Sequence, residues 1–471
     1  MHNESKSGLE PRLSSEFVSQ SINIDAQQND SERLSFIRVV TDSRIATKGD
    51  LFVAIKGEHL DGHDYIDAAL SAGVSGVLAE RTKTESGAKF YIVKNSIESF
   101  RCLAKKWRAQ FSIPVICVAG STGKTTTKEL MAAVFSGKYK NVLKTEKSQN
   151  GFIGIPMTLL NLRAASNAAI IEVGIDAPGA MVQHLEVVKP TASILTTIGP
   201  EHLEQLKNLE TVIKEESLAI SMVQNSGGIV CVNLEDPNIS KLYSNKDNVW
   251  SYAWGEKSDV KPRRIVGKLR EADLVVNSDG FLEERFHLPL PGKHNALNLL
   301  AAITMAIAHG LTANEIRQGL ATFKSADGRS EVHKKNGVHF LCDYYNANPT
   351  SMGAAFSLLL DTYKKQNSKG SRFVCLGDML ELGSLEEKSH RELANQIEYQ
   401  KVEHVYLYGQ RMKFLEDELR KISFRGELIH FSNHQKLAET LRRNMKTGDL
   451  VLIKGSRSMK MEKVWQEIEK N

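Results

Sequence analysis

At 471 residues the chain is long enough for about three domains of roughly 150 residues each, which excludes a miniprotein or a lone binding module. With 41% hydrophobic and 25% charged residues, 33 Gly and 11 Pro, it has the composition of a folded globular chain and not of a disordered or collagen-like one. Lys plus Arg (61) against Asp plus Glu (56) gives a net charge of +5 without long basic runs. Nucleic acid is therefore not the expected partner, and phosphate-bearing small molecules suit local anion sites better.

The five cysteines (Cys102, Cys117, Cys231, Cys342, Cys375) are scattered and form no CxxC pair, so neither a disulfide framework nor a zinc cage is expected, and a reducing cytoplasm is the expected location. The polar N-terminus MHNESKSGLEPRLSSEF has no apolar h-region, and no run approaches the 18 or so apolar residues of a membrane span.

Residues 1 to about 34 read as a frayed leader or a capped first helix. From Phe36 onward, FIRVVTDSR and DLFVAIKG are strand-like, and a helix-like stretch carries Tyr65, Ile66, Ala69 and Leu70 on one face. This small α/β unit closes near Arg108. IPVICVAGSTGKTTTKELMAAVFS then reads as strand, Gly-containing turn and helix, with Leu130, Met131, Val134 and Phe135 at helical spacing. The runs AAIIEVG, ASILTTIG and GIVCVN, separated by helix-length stretches, predict a doubly wound, mostly parallel sheet. After DGRSEV the alternation restarts with VHFLCDYYNANP, RFVCLGDM, VEHVYLYG, ELIHF and DLVLIKGS. The expected fold class is α/β in three domains, with boundaries at 1–108, 109–324 and 325–471: an N-terminal α/β domain, a central P-loop domain with a parallel sheet, and a C-terminal Rossmann-like domain.

Gly120, Ser121, Thr122, Gly123, Lys124, Thr125 and Thr126 lie where a strand meets a helix. Backbone N–H groups and a helix N-terminus there can surround a polyphosphate, with Lys124 as cation and Thr125 as a magnesium ligand. The strict GxxxxGK[ST] pattern needs Gly at position 118, which is Val118, and a Gly-rich surface turn is the alternative. Glu172 and His202 fall just beyond strand ends, where ligands of open α/β sheets collect, and are candidate metal ligands. A carboxylate suits magnesium; a histidine is an unusual ligand for it, and His202 reads equally as a hydrogen-bonded loop residue. Lys214, beside Glu215 and Glu216, fits a solvated helix face by spacing. Asp343 fits a strand-end turn, and Asn346-Ala-Asn-Pro a local turn.

Taken together, GSTGKTT, TDSR (41–44), GDLFVAIKG (49–57), DGHDYI (61–66), YNANPTSM (345–352) and LGDMLELG (376–383) make the chain resemble the Mur ligase family from about Val40 to its end. The resemblance implies an ATP-dependent, amide-forming enzyme of peptidoglycan synthesis, in the branch that adds D-alanyl-D-alanine to UDP-N-acetylmuramoyl-tripeptide. It implies a first domain that binds the uridine nucleotide, with Ser43 and Arg44 as contacts, and a shorter GxxGK[TS] loop that removes the objection at Val118. It also places Glu172 and His202 at magnesium positions and Lys214 at the position of a lysine carried as a carbamate, for two magnesium ions. PGKHNALNLLAA (291–302) resembles the adenine segment, with His294 and Asn295 as contacts. Asp327-Gly-Arg329 resembles the interdomain hinge with Arg329 facing phosphate, Asp343 matches a ribose- or phosphate-side aspartate, and KGSRSM (454–459) resembles a closing motif. Asn150, Asn346 and Asn348 become substrate contacts.

The chain departs from the family pattern at Ser148 and Gly151, in EVGIDAPGA, at Thr197 and Glu201, and at Cys342, which replaces the first of two aspartates. The implied chemistry is phosphoryl transfer followed by acyl transfer, with a hinge near Phe323 to Ser330 closing the third domain onto the nucleotide. A monomer is expected. Two rival readings are another Mur-type amino acid ligase and a nucleotide-binding homologue without ligase activity.

Overall fold

Strand-forming runs and amphipathic helices alternate through most of the chain, and in the computed structural model each sequence-predicted strand run contains a strand. The structure describes residues 13–24, 34–57, 59–81, 87–244, 248–255, 264–270, 273–278, 281–365 and 370–470. Of the N-terminal stretch expected as a leader or capped helix, residues 1–12 and 25–33 lie outside the described residues. Between them a short helix spans Ser15–Ser21, and the Ser14 hydroxyl caps it by accepting the Phe17 N–H at 3.1 Å. Two compact units make up the chain. One comprises Met1–Cys117, Tyr139–Val173 and Met181–Ala192; the other comprises Val118–Lys138, Gly174–Ala180 and Ser193–Asn471.

The first unit opens with a parallel sheet of β1 (Val39–Val40), β2 (Leu51–Val53), β3 (Gly76–Ala79) and β4 (Lys89–Ile92), paired in that order. Phe52, Ala54, Ile66, Ala69 and Val77 form its core. The helix begins one residue later than its apolar pattern suggests. Gly62–Tyr65 is a 3-10 turn and the α-helix spans Ile66–Ser71, so Ile66 and Ala69 are buried while Tyr65 is 42% exposed. The tighter winding of the 3-10 turn rotates Tyr65 off the shared face. Helix Ser96–Arg108 buries Phe100, Leu103 and Trp107, and the Trp107 indole N–H donates to the Leu162 carbonyl at 3.2 Å. Strand β5 (Val115–Ala119) carries the chain into the second unit, and β6 (Val142–Lys144) pairs in parallel with β7 (Ala168–Glu172) in the first.

Strand β8 (Ala192–Leu195) leads into the second unit, where β9 (Ile229–Asn233), β10 (Trp250–Trp254) and β11 (Arg264–Arg270) run parallel. Two further strands, β12 (Asp273–Ser278) and β13 (Phe281–His287), add antiparallel to β11. The expected mostly parallel pairing holds, and these two strands are an antiparallel addition to it. Between residues 270 and 273 the chain has no length for a crossover helix, and strands joined so closely must reverse.

The remaining strands of the second unit are β14 (Glu331–Lys335), β15 (Val338–Cys342), β16 (Arg372–Gly377), β17 (His404–Tyr408), β18 (Glu427–Phe431) and β19 (Leu450–Lys454). They form one sheet in the order β14-β15-β19-β16-β17-β18, parallel except for the β14–β15 pair. Both faces are covered. Leu341, Val374 and Leu452 pack with Met352 and Phe356 on one side, while Phe340, Cys342, Phe373 and Ile453 pack with Trp465 on the other. A two-sided core explains why these strands read as continuous apolar runs. It also explains Cys342, which occupies an apolar position. Among the described residues no helix is long and apolar enough to cross a membrane.

Candidate functional site

The loop after β5 is built from close backbone approaches. Gly120 has φ +121°, and a Cβ there would lie 2.3 Å from Thr196 Oγ1. Gly123 has φ +83°, with the Asn298 side chain 2.6 Å from where its Cβ would be. The positive φ strains a side chain at both positions, and at Gly120 it would also meet the Thr197 backbone. The segment after β8 braces the loop: Ser121 N–H donates to the Thr197 carbonyl at 2.8 Å, Thr122 N–H donates to Thr197 Oγ1 at 3.0 Å, and the Ser121 hydroxyl donates to the Gly199 carbonyl at 3.0 Å. Helix Lys124–Ser136 starts at once, so its positive N-terminal end faces the loop.

Lys124 is folded back. Its ammonium donates to the Gly120 carbonyl and lies 3.3 Å from Glu201 Oε2, with both side chains largely buried. Glu201 Oε1 and both carboxyl oxygens of Glu216 are buried against one another. Burial, and then the charge of Glu201, push the Glu216 carboxyl well above the usual carboxylate range. His202 occupies the left-handed region at φ 47°, and its Nδ1 is 2.5 Å from Glu381 Oε2. Burial pulls the His202 pKa down, but the Glu381 hydrogen bond and the charges of Glu201 and Glu381 outweigh it, so the net shift is upward. On the helix Leu209–Asn225, Lys214 is exposed whereas Glu215 and Glu216 are buried.

A cavity of 190 Å³ joins this loop to the rest of the second unit. It is lined by Ser121, Thr122, Gly123 and Thr126 of the loop, by Tyr252, His294, Asn295 and Asn298, and by Arg329, Asp343, Asn346, Asn348 and Lys454. His294 and Asn295 come from the first turn of the helix Lys293–Ala308. The His294 Nε2 is 3.2 Å from Ser330 Oγ, and burial lowers its pKa despite the nearby Asp343. Arg329 donates to Thr125 Oγ1 at 3.0 Å, and its guanidinium carbon lies 4.1 Å from the Tyr345 ring centroid. Asp343 accepts the Ser330 N–H at 3.0 Å and the Lys454 ammonium at 2.5 Å. A pocket that offers amides and aromatic rings together with cations, N–H groups and hydroxyls suits a molecule that is part heterocycle and part polyanion.

The remaining candidates sit in the first unit. Ser43 and Arg44 belong to a 3-10 turn after Asp42, and Arg44 reaches out with 86% of its side chain exposed while bonding Asp42. The hydrogen bonds from Arg44 lower the Asp42 carboxyl to about 2. Asn150 donates to Glu172 Oε1 at 2.8 Å, and Thr145 Oγ1 accepts the Glu172 N–H at 3.0 Å. Among the described residues no group of three or more His, Cys, Asp or Glu is spaced to hold a metal.

Reasoning from residues alone did not single out Lys454, Tyr345, Thr197, Glu201 or Glu216 as parts of one site. A signal was present for Glu216, which lies four residues after the buried Val212 and three and four before the buried Ala219 and Ile220. That spacing puts a carboxylate on the apolar face of its helix. Lys454 ends the apolar run LVLIK, but its partner Asp343 is remote in sequence and visible only in the fold.

Three family models match the chain: Mur ligase family, catalytic domain, over residues 36–110; Mur ligase middle domain over 118–306; and Mur ligase, glutamate ligase domain over 328–457. The chain is 30% identical to UDP-N-acetylmuramoyl-tripeptide–D-alanyl-D-alanine ligase of Bacillus subtilis, over 91% of this chain and 92% of the relative. To the Escherichia coli K12 protein of the same name it is 31% identical over 92% of this chain and 94% of the relative. A crystal structure of MurF from Acinetobacter baumannii superposes with a TM-score of 0.84 at 24% identity, covering 98% of this chain and all of that one. The MurF ligase from Thermotoga maritima in complex with ADP matches with a TM-score of 0.77 at 27% identity, covering 92% and 97%.

Proposed function

The chain belongs to the Mur ligase family, and on that premise we propose that it is an ATP-dependent ligase that joins D-alanyl-D-alanine to UDP-N-acetylmuramoyl-tripeptide. The observation that carries the reading is the cavity in which the phosphate loop meets Arg329, Asp343 and Lys454. The tripeptide carboxylate attacks the γ-phosphorus of ATP, releasing ADP and forming an acyl phosphate. The dipeptide amine then attacks the acyl carbon, inorganic phosphate leaves, and the amine loses a proton.

Within this scheme the loop N–H groups and Lys124 bind polyphosphate, His294 and Asn295 face the adenine, and Arg329 and Asp343 hold the phosphate and ribose side. Asn346 and Asn348 contact the substrate. In the first unit Ser43 and Arg44 hold the uridine nucleotide and Asn150 the tripeptide. We place the domain boundaries at 1–108, 109–324 and 325–471, with a hinge over Phe323 to Ser330. We also read the chain as a cytoplasmic monomer whose partners are these small substrates and neither nucleic acid nor membrane.

Each proposed position carries donor chemistry that magnesium accepts. Thr125 in the second unit and Glu172 in the first would each offer a hard oxygen, and the 2.5 Å contact from His202 Nδ1 to Glu381 is the kind of carboxylate–histidine pairing that would orient an imidazole toward a metal. Lys214 joins this set only as its carbamate, since an ammonium repels a cation. When bound, magnesium neutralises charge on the transferring phosphate.

Phosphate release from ATP tests the reading. It is expected to require both the UDP-linked tripeptide and D-alanyl-D-alanine and to vanish in Lys124→Ala. Release with a different amino acid acceptor would instead identify another Mur-type ligase, and nucleotide binding without release would identify a homologue that has lost ligation.

A further inference from the structure

The phosphate loop has a cation that does not reach its cavity. Ser121, Thr122, Gly123 and Thr126 line the cavity, but Lys124 does not. Instead its ammonium is held between the Gly120 carbonyl and Glu201, with 12% of the lysine and 7% of the glutamate side chain exposed. The second oxygen of Glu201 and both oxygens of Glu216 are buried, and the two carboxyl groups lie against each other. One ammonium therefore serves a neighbourhood of two buried carboxyl groups, which favours keeping it in place.

We propose that Glu201 is a positioning residue that competes with the nucleotide's phosphates for Lys124. Resting on the reading of this loop as the ATP site, it assigns Glu201 control of how tightly the phosphate end of the nucleotide binds. A polyphosphate entering the loop can recruit Lys124 only by drawing it off Glu201, which leaves that carboxylate buried beside Glu216. Breaking a buried ion pair by taking away one partner is costly because the other charge stays behind. The loop's affinity is thus set by the difference between two anions that share one cation. The effect is confined to ligands that carry phosphate, because adenosine has no phosphate to draw Lys124 off Glu201.

The test is calorimetric titration of the full-length protein with ADP in excess chelator, with ADP in the presence of magnesium, and separately with adenosine, for the wild type, Glu201→Gln and Glu201→Ala. Both variants are expected to bind ADP at least about fivefold tighter than the wild type, a typical lower bound for coupling between competing sites, and adenosine equally well. Glu201→Gln keeps the side-chain shape, so the outcome does not depend on Glu201→Ala folding. Unchanged or weaker ADP binding in a folded variant overturns the proposal. So does an equal gain for adenosine, or an effect seen only when magnesium is present, which would make Glu201 a metal ligand instead. If the wild type binds adenosine but gains nothing from the phosphates of ADP, the reading of the loop itself falls as well.

Discussion

Lys454 and Asp343 are 111 residues apart in the chain and meet at 2.5 Å at the ends of the adjacent parallel strands β19 and β15. The lysine is almost wholly buried, and it also donates to the carbonyls of Asp343 at 3.2 Å and Asn346 at 2.9 Å. One ammonium thereby ties the end of β15 to the Asn346-Ala-Asn-Pro turn and holds Asp343 where it accepts the Ser330 N–H. The pair organises part of the lining of the cavity that the phosphate loop also lines.

Removing that ammonium leaves a carboxylate and two carbonyls uncompensated. Lys454→Met is expected to destabilise the protein by about 3 kcal/mol, toward the low end for a broken buried pair because Asp343 keeps some solvent contact. Asp343→Asn preserves an acceptor for Ser330 and should cost less. Urea denaturation followed by fluorescence measures both, and a Lys454→Met midpoint equal to that of the wild type would contradict the ordering.

His184 predicts how stability responds to pH. It is fully buried, neither ring nitrogen has a hydrogen-bond partner, and its ring centroid lies 4.6 Å from that of Phe152. Burial, with a smaller contribution from the Arg101 charge, lowers its pKa from 6.5 to about 4. The unfolded chain therefore binds a proton between those values that the folded protein refuses. This contribution to stability is fully present above pH 6.5 and is lost as pH falls toward 4, by at most about 3 kcal/mol at ~1.4 kcal/mol per pH unit. His184→Leu should show a shallower fall over that interval. Thermal unfolding of the two proteins at pH 7.5, 5.5 and 4.5 checks this, and parallel curves would rule it out.

Much of the site was readable because its determinants are local. The strand before Gly120, the two glycines and the apolar face of Leu130, Met131, Val134 and Phe135 lie within one short segment, and all four apolar residues are buried. Lys214 and Glu216 were not separable in this way. A run of Lys and Glu looks solvated by composition, and only the register of the helix against its core exposes one and buries the other. The antiparallel strands β12 and β13 were also passed over. Their polar residues, Asp273, Glu283 and Glu284, break the apolar runs that made the parallel strands conspicuous.

Thr197, one of the departures from the family pattern, has a definite task. Its hydroxyl accepts the Thr122 N–H and lies 2.7 Å from the Thr122 hydroxyl. Thr197→Val is isosteric but leaves that N–H unpaired, a loss of about 1–2 kcal/mol of loop order. The KM for ATP should rise by about 5- to 30-fold, and Thr197→Ser should restore it. An unchanged KM in Thr197→Val would mean that the remaining braces, Ser121 and the Thr196 hydroxyl that donates to the Thr122 carbonyl at 2.6 Å, hold the loop without it.

Glycine packing between helices gives a prediction about stability alone. A Cβ on Gly137, just past the helix Lys124–Ser136, would lie 1.8 Å from the Glu315 carbonyl oxygen of the helix Ala313–Leu320. A Cβ on Gly319 would lie 2.2 Å from the Ala133 carbonyl oxygen, so the two segments approach backbone to backbone. Neither clash can be relieved by rotating a side chain, and overpacking of this kind costs about 1–3 kcal/mol. Gly353 is the control. It lies inside the helix Pro349–Lys365 with nothing within 4 Å of its would-be Cβ, so Gly353→Ala should stabilise the protein by about 0.5–1 kcal/mol through helix propensity. Chemical denaturation of Gly137→Ala and Gly353→Ala should therefore move in opposite directions. Equal shifts would show that the close approach of the two helices does not limit the space at Gly137.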